Sequence, residues 1–339
     1  MVWWPDTMST WLEVEERGPE IKQEYWRRKW ISSIEEDSPE AQKYQIKRLI
    51  EVRRAAEIFD RFALYHKKIS SDLFLMVFDS TLSELEDAET PEEIQGLGIS
   101  SDDISSFLEG MRQKSDIPRY EIARREYQVL PLLGFLNAKG LIIHNLMAED
   151  PGFFMEVICD AFLPDKGEKD IEPTPDEVAR AKASYRLIEG MDFFPGQEDE
   201  TIDENKLLDW LNAVRKKAKE HDRVSITDSI IGKLLAYAPI DPNDGGWPHQ
   251  VVRKIIEDLA SREIDDGLIT GRYNMRGVYS KSLDEGGAQE RELAKQYREW
   301  AQISLSRYPR MGEVLNCLAA DYEREAKRED YRVEQRKLK

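Results

Sequence analysis

The sequence predicts an all-α fold: an elongated, solenoid-like array of antiparallel helix pairs, with one long irregular glycine-rich loop near the C-terminus. Three observations carry this expectation. Apolar residues recur at three- and four-residue spacing through almost all of the 339 residues, which is the period of one helix face. Proline and capping residues stand at the starts of those runs. No run of alternating β-branched residues marks a strand.

The first two predicted helices, 6–17 and 20–35, hold Trp11, Trp26 and Trp30. With Trp3 and Trp4 they place five of the eight tryptophans in the first thirty residues. This concentration has two readings: a first helix pair packed on the second, or a docking face or cut surface of a longer protein. A capping helix normally presents a polar outer side, and this tryptophan-rich start has no polar leader. Whether Met1 is a natural start or a fragment boundary stays open.

Ser38-Pro39 opens a long helix over 39–66 with the stripe Ile46, Leu49, Ile50, Ala56, Phe59, Phe62 and Ala63. Leu73, Phe74, Val77, Phe78, Leu82 and Leu85 define 71–88. The capping box Thr90-Pro91-Glu92-Glu93 follows, then helices over 101–113, 118–136 and 139–148. Phe153, Phe154, Val157, Ile158, Ala161 and Phe162 give 151–163. A weak boundary lies in the polar stretch Pro164–Pro173. A second capping box, Thr174-Pro175-Asp176-Glu177, opens 175–190. Gly190–Asp203, with Asp192, Glu198, Asp199 and Glu200, reads as a solvated acidic loop. Helices over 204–221 and 226–237 come next. Trp247-Pro248 opens 248–266, striped by Val251, Val252, Ile255, Ile256 and Leu259, and 288–306 and 309–335 complete the chain.

Short connections favour antiparallel neighbours. No fixed period of about 34 or about 40 residues repeats, so the array is solenoid-like without belonging to a repeat family. Two domains are expected: 1–137, helical-repeat-like, and 138–339, a C-terminal helical domain carrying the glycine-rich loop 267–287.

Composition narrows the function classes. Charged residues make up 34% of the chain and the net charge is −18, which disfavours nucleic acid and anionic membranes as partners. Eight tryptophans, eleven phenylalanines and thirteen tyrosines argue against disorder. Cys159 and Cys317 sit inside apolar helical patterns and read as two buried thiols, which suits a reducing cytoplasm. The start lacks the basic and apolar regions of a signal peptide, and no window approaches eighteen apolar residues, so no membrane partner is expected.

The sequence carries no standard catalytic signature, neither a phosphate-cradling glycine loop nor a metalloprotease, serine-hydrolase or paired-cysteine motif. His66, His144, His221 and His249 lack a second ligand at metal spacing and read as surface or helix-end residues. Asp241–Gly246 begins like a calcium loop but fails at Gly245 and Val252, where oxygen ligands are required. It reads as a turn. No metal, cofactor or catalytic residue is assigned.

The exception is Gly267–Gly287, GLITGRYNMRGVYSKSLDEGG, which holds five of the nineteen glycines. Glycine costs about 1 kcal/mol in a helix interior, so the cluster predicts backbone that does not coil. Arg272, Tyr273, Asn274, Arg276, Tyr279 and Lys281 lie between the glycines. Gly286 and Gly287 open a helix whose first N–H groups favour an anion. Arg272, Tyr273, Arg276, Lys281, Gln289 and Arg291 are therefore the candidate ligand-binding set. Two readings compete with it: a strap over the last helices, its arginines paired with carboxylates of this acidic chain, and a protein-contact surface.

EYQVLPLL, DPGFFMEVI, RLIEGMDFFPG, WPHQVVRKIIEDL, GRYNMRGVYSKSLDEGGAQERELAKQYREWA and DYEREAKRED give residues 120–330 a resemblance to the C-terminal helical region of large bacterial proteins that usually carry no functional name. The resemblance implies a helical part of a bigger polypeptide and brings no catalytic residues.

Two functions are expected from different classes. The first is a non-catalytic helical scaffold or sensor module of the bacterial cytoplasm, binding a protein partner or other domains of its own polypeptide. The second is a ligand-binding or enzymatic domain with an anion site on 267–291. They part on whether Arg272, Arg276, Gln289 and Arg291 converge on one cleft.

Overall fold

The computed structural model describes residues 6–31, 34–88, 90–133, 140–166, 173–198, 201–277, 280–282 and 284–337. The chain is all-α, and none of its described helices is long and apolar enough to cross a membrane. It divides into two compact units, Met1–Ile143 and His144–Lys339, where the sequence placed the boundary at 137/138.

The first unit begins with α1 (Met8–Glu16) and α2 (Pro19–Arg28), followed by α3 (Pro39–Glu51). Trp11 and Trp26 are buried, and Trp11 stacks on Tyr44 of α3 with ring centres 6.1 Å apart. The first helix pair thus packs on the next helix through these two rings. Lys29 Nζ lies beneath them, 2.8 Å from a carboxylate oxygen of Asp6. Trp3 and Trp4 fall outside the described residues.

The predicted helix 39–66 is broken. It stops at Glu51, Arg53 takes a left-handed φ of 59°, and α4 occupies only Phe59–Leu64 after a 3-10 turn over Ala56–Ile58. The cause is a carboxylate distant in sequence. Glu84 of α5 (Ser71–Glu86) is buried and accepts the N–H groups of Ala55 and Ala56 at 2.8 and 3.1 Å, which fixes a new helical start there. Phe59, Phe74, Phe78 and Phe107 close the core between α4, α5 and α7 (Ser101–Arg112). A short helix, α6 (Pro91–Gly96), sits behind the Thr90–Glu93 box. The same carboxylate device recurs after α8 (Arg119–Val129). Buried Glu126 accepts the N–H groups of Ile142 and Ile143 at 3.0 and 2.9 Å, starting α9 (Ile142–Glu149).

In the second unit α10 (Pro151–Ala161), α11 (Pro175–Gly190) and α12 (Glu204–Glu220) pack together, with Phe154 edge-on to Trp210. Gly190–Asp203 is not simply a solvated loop. Met191 and Phe194 are buried, and Gln197–Glu198 pairs antiparallel with Thr201–Ile202. Asp203 then caps α12. Cys159 is half-buried and Cys317 exposed, so the expectation of two buried thiols fails at Cys317. His144 is fully buried rather than at a surface.

The predicted helix 248–266 is also divided. His249 caps α14 (Gln250–Leu259), Ala260 turns left-handed at φ 47°, and Ser261 caps α15 (Arg262–Asn274). Asp241 and Asp244 bind the backbone N–H groups of Asn243, Gln250 and Gly246 and face Arg253, so the segment before α14 is the expected turn. Helix α15 crosses α13 (Val224–Leu235). The last helices, α16 (Ala288–Leu305) and α17 (Pro309–Lys337), form an antiparallel hairpin. Arg298 meets Glu323 across it, and Arg291 meets Asp330.

Candidate functional site

The first eight of the twenty-one residues in the predicted loop are helix. Residues 267–274 belong to α15, and Gly267 and Gly271 serve contact between helices rather than unusual dihedrals. A Cβ on Gly267 would stand 2.1 Å from Ser229 O of α13, and one on Gly232 of α13 would stand 2.1 Å from Ile264 O. Three glycines, with Gly271, thus bring two helix backbones against each other, a distance that any side chain would forbid. Among the described residues, those outside helix here are 275–277, 280–282 and 284–287.

Arg272 lies over Trp247, its guanidinium carbon 4.5 Å from the ring centre, and its Nε donates to Tyr297 Oη at 3.1 Å. Tyr273 stacks on Tyr322 of α17 and donates its hydroxyl to Glu325 at 3.0 Å. Arg276 reaches Glu290 and stands 3.5 Å from Glu325. Lys281 Nζ binds the other Glu290 oxygen at 2.6 Å and Gly286 O at 3.3 Å. Gln289 donates to Ser280 O at 3.0 Å. Arg291 binds Asp330 at 2.6 Å. Tyr279 lies outside the described residues. Arg276 and Lys281 share Glu290, and Arg272 and Arg276 both touch the stacked Tyr297–Tyr322 pair, but Arg272, Arg276, Gln289 and Arg291 bond four different groups and do not converge on one cleft.

The anion at the glycine pair comes from the chain itself. Gly287 N–H donates to Asp330 Oδ1 at 2.9 Å, and a Cβ on Gly287 would meet Ala326 O at 2.3 Å. Gly286 takes the left-handed φ of 60° that lets the chain turn into α16. The close approach expected of these glycines is real, but what approaches is α17.

Glu290 is the centre of the arrangement, and reading the sequence missed it. Its side chain is fully buried between Arg276 and Lys281. A signal was present: Glu290 falls in register with Ala294, Tyr297 and Ala301, the apolar face of α16. An acid on such a face must find a partner, because an unpaired buried charge costs several kcal/mol. Burial alone would raise the Glu290 carboxyl, but hydrogen bonds from Lys281 and Arg276 outweigh it and hold the group below its ordinary 4.5. The folded carboxyl is more acidic than the unfolded one, so its contribution is complete above about pH 4.5 and is lost as pH falls through the depressed value. Urea midpoints measured between about pH 3 and pH 6 should fall on the acid side, and Glu290→Gln should flatten that limb. An unchanged acid slope in the variant would assign the effect elsewhere.

Among the described residues no group of three or more His, Cys, Asp or Glu side chains is placed to hold a metal. No protein-family model, curated protein or solved structure gave a significant match to the chain.

Proposed function

We propose that the chain is a non-catalytic helical scaffold or sensor module that mediates protein–protein interaction, as part of a larger bacterial protein. One observation carries this reading over an anion-binding or enzymatic domain. The polar ends that would grip a ligand are each engaged by the chain's own carboxylates, carbonyls or rings. The described residues that follow α15 act as a strap, which Arg276 and Lys281 fasten to the α16–α17 hairpin. The resemblance of 120–330 to helical regions of large bacterial proteins suits the same role.

Calorimetric titration with inorganic phosphate and with a nucleoside triphosphate tests it. Neither should show saturable binding. Arg291→Ala should leave the thermal midpoint almost unchanged, because the Arg291–Asp330 pair is half exposed and screened by solvent. Saturable binding of either probe that Arg276→Ala abolishes would restore the ligand-binding alternative and overturn the proposal.

A further inference from the structure

Five aromatic rings run in contact from the core of the second unit to its surface. Between ring centres, Trp247 and Trp300 lie 5.9 Å apart, Trp300 and Tyr297 5.4 Å, Tyr297 and Tyr322 5.5 Å, and Tyr322 and Tyr273 5.7 Å. The first four residues are buried, whereas Tyr273 is 43% exposed. Indole and phenol are the ring systems of proteins that give up a single electron most readily. Burial and stacking are what packing alone requires of such rings. The partners of their polar atoms and the charges above them follow a further order.

An oxidised indole or phenol is a strong acid, so the hole rests where its proton finds an acceptor. Trp247 and Trp300 donate Nε1–H to Ala238 O and Gly245 O at 2.8 and 3.1 Å, and a carbonyl is too weak a base to take the proton. Tyr297 Oη accepts from Arg272 Nε at 3.1 Å, and a guanidinium takes no proton. Burial pushes the Tyr322 hydroxyl up, which opposes loss of its proton. Among the described residues, Tyr273 alone of the five hydrogen-bonds a carboxylate, that of Glu325 at 3.0 Å. The cations point the same way. Arg272 lies 4.5 Å from the Trp247 ring centre and Arg276 lies 5.6 Å from that of Tyr322, and each opposes a positive hole in the ring beneath it.

We infer that this stack carries oxidising equivalents out of the core to Tyr273. A one-electron oxidant of the inorganic-radical or metal(III)-complex class takes an electron from Trp247 or Trp300. Electrons step inward from ring to ring, and the hole moves outward. At Tyr273 the O–H bond breaks, leaving a neutral phenoxyl radical and a protonated Glu325. The oxidant has gained one electron, and Tyr273 has lost one electron and one proton. This redox path is a second property of the chain, independent of partner binding.

The test is a light flash at the red edge of tryptophan absorption, where tyrosine is transparent, with a cobalt(III) ammine to take up the ejected electron. A nitroso spin trap and peptide mapping then locate the radical. The parent protein should carry the adduct at Tyr273. Tyr322→Phe keeps a ring of the same shape without an oxidisable phenol, and should lose that adduct. The Trp247→Phe/Trp300→Phe double variant should lose it as well. Glu325→Gln, at the surface, removes the proton acceptor and should also abolish it, which keeps the test open where a core variant fails to fold. Two results would overturn the inference: no adduct at Tyr273 in the parent, or an undiminished yield there in any of these variants that folds. The second would mean that Tyr273 is oxidised directly from solvent or loses its proton elsewhere. Neither result bears on the anion titrations, so a failure here stays separate from a failure of the proposed function.

Discussion

Gly267→Ala is expected to lower the unfolding free energy by about 3 kcal/mol, although alanine is the better helix former by about 1 kcal/mol. Two effects oppose each other, and distance decides between them. The new methyl would stand 2.1 Å from the Ser229 carbonyl oxygen, which is backbone and cannot rotate away. Helix α15 must then move off α13, and every contact in the crossing loosens. Gly232→Ala meets Ile264 O at the same distance and should cost as much, whereas Gly271→Ala meets its nearest atoms at 2.9 Å and should cost less. Gly96 is helical with nothing within 4 Å, so Gly96→Ala should be neutral or slightly stabilising. Guanidinium unfolding of the four variants checks the order. A Gly267→Ala protein as stable as the parent would mean that α13 and α15 do not pack this closely.

Glu290→Ala should be the most damaging change at the strap, costing about 3–5 kcal/mol. It removes the carboxylate that both Arg276 and Lys281 bind and leaves those cations only 12% and 15% exposed. Glu325 at 3.5 Å from Arg276 and Glu329 at 3.8 Å from Lys281 absorb part of the loss, which favours the lower end of that range. Hydrogen exchange offers a second readout: the first turn of α16 should lose protection before the rest of the hairpin. A loss below about 1 kcal/mol would show that the strap is held by its aromatic contacts instead.

The helices themselves are legible because their signals are local. Thr174 and Glu177 cap α11 from three residues apart, and Ser38 caps α3 just as closely. The two broken helices are not legible in the same way. The break before α4 depends on Glu84, whose partners are Ala55 and Ala56, and nothing near residue 52 announces it. The glycines of 267–287 misled for a different reason. Glycine offers both freedom of φ and the absence of a Cβ, and composition does not say which is used. Gly286 uses the first and Gly267 the second. Spacing separates them: Gly267 and Gly271 lie four residues apart, in phase with Ile264 and Leu268, whereas Gly277 and Gly286 fit no helical phase. The candidate arginines followed the same pattern. That an acidic chain pairs its own cations was readable, but which carboxylate takes which cation depends on how α15, α16 and α17 meet.

Asp330 gives the start of α16 a resident anion. Its carboxylate is tethered to the same chain and already directed at the Gly287 N–H and Arg291. A group held in this way acts as though present at millimolar concentration or above, without the entropy cost of capture from solution. A free phosphate or carboxylate metabolite would therefore meet a site filled by an internal competitor. It would have to displace Asp330, leaving a second negative charge beside its own. The helix start that most invites a ligand in the sequence is thus self-inhibited toward anions. Asp330→Asn is the change that would lift the competition.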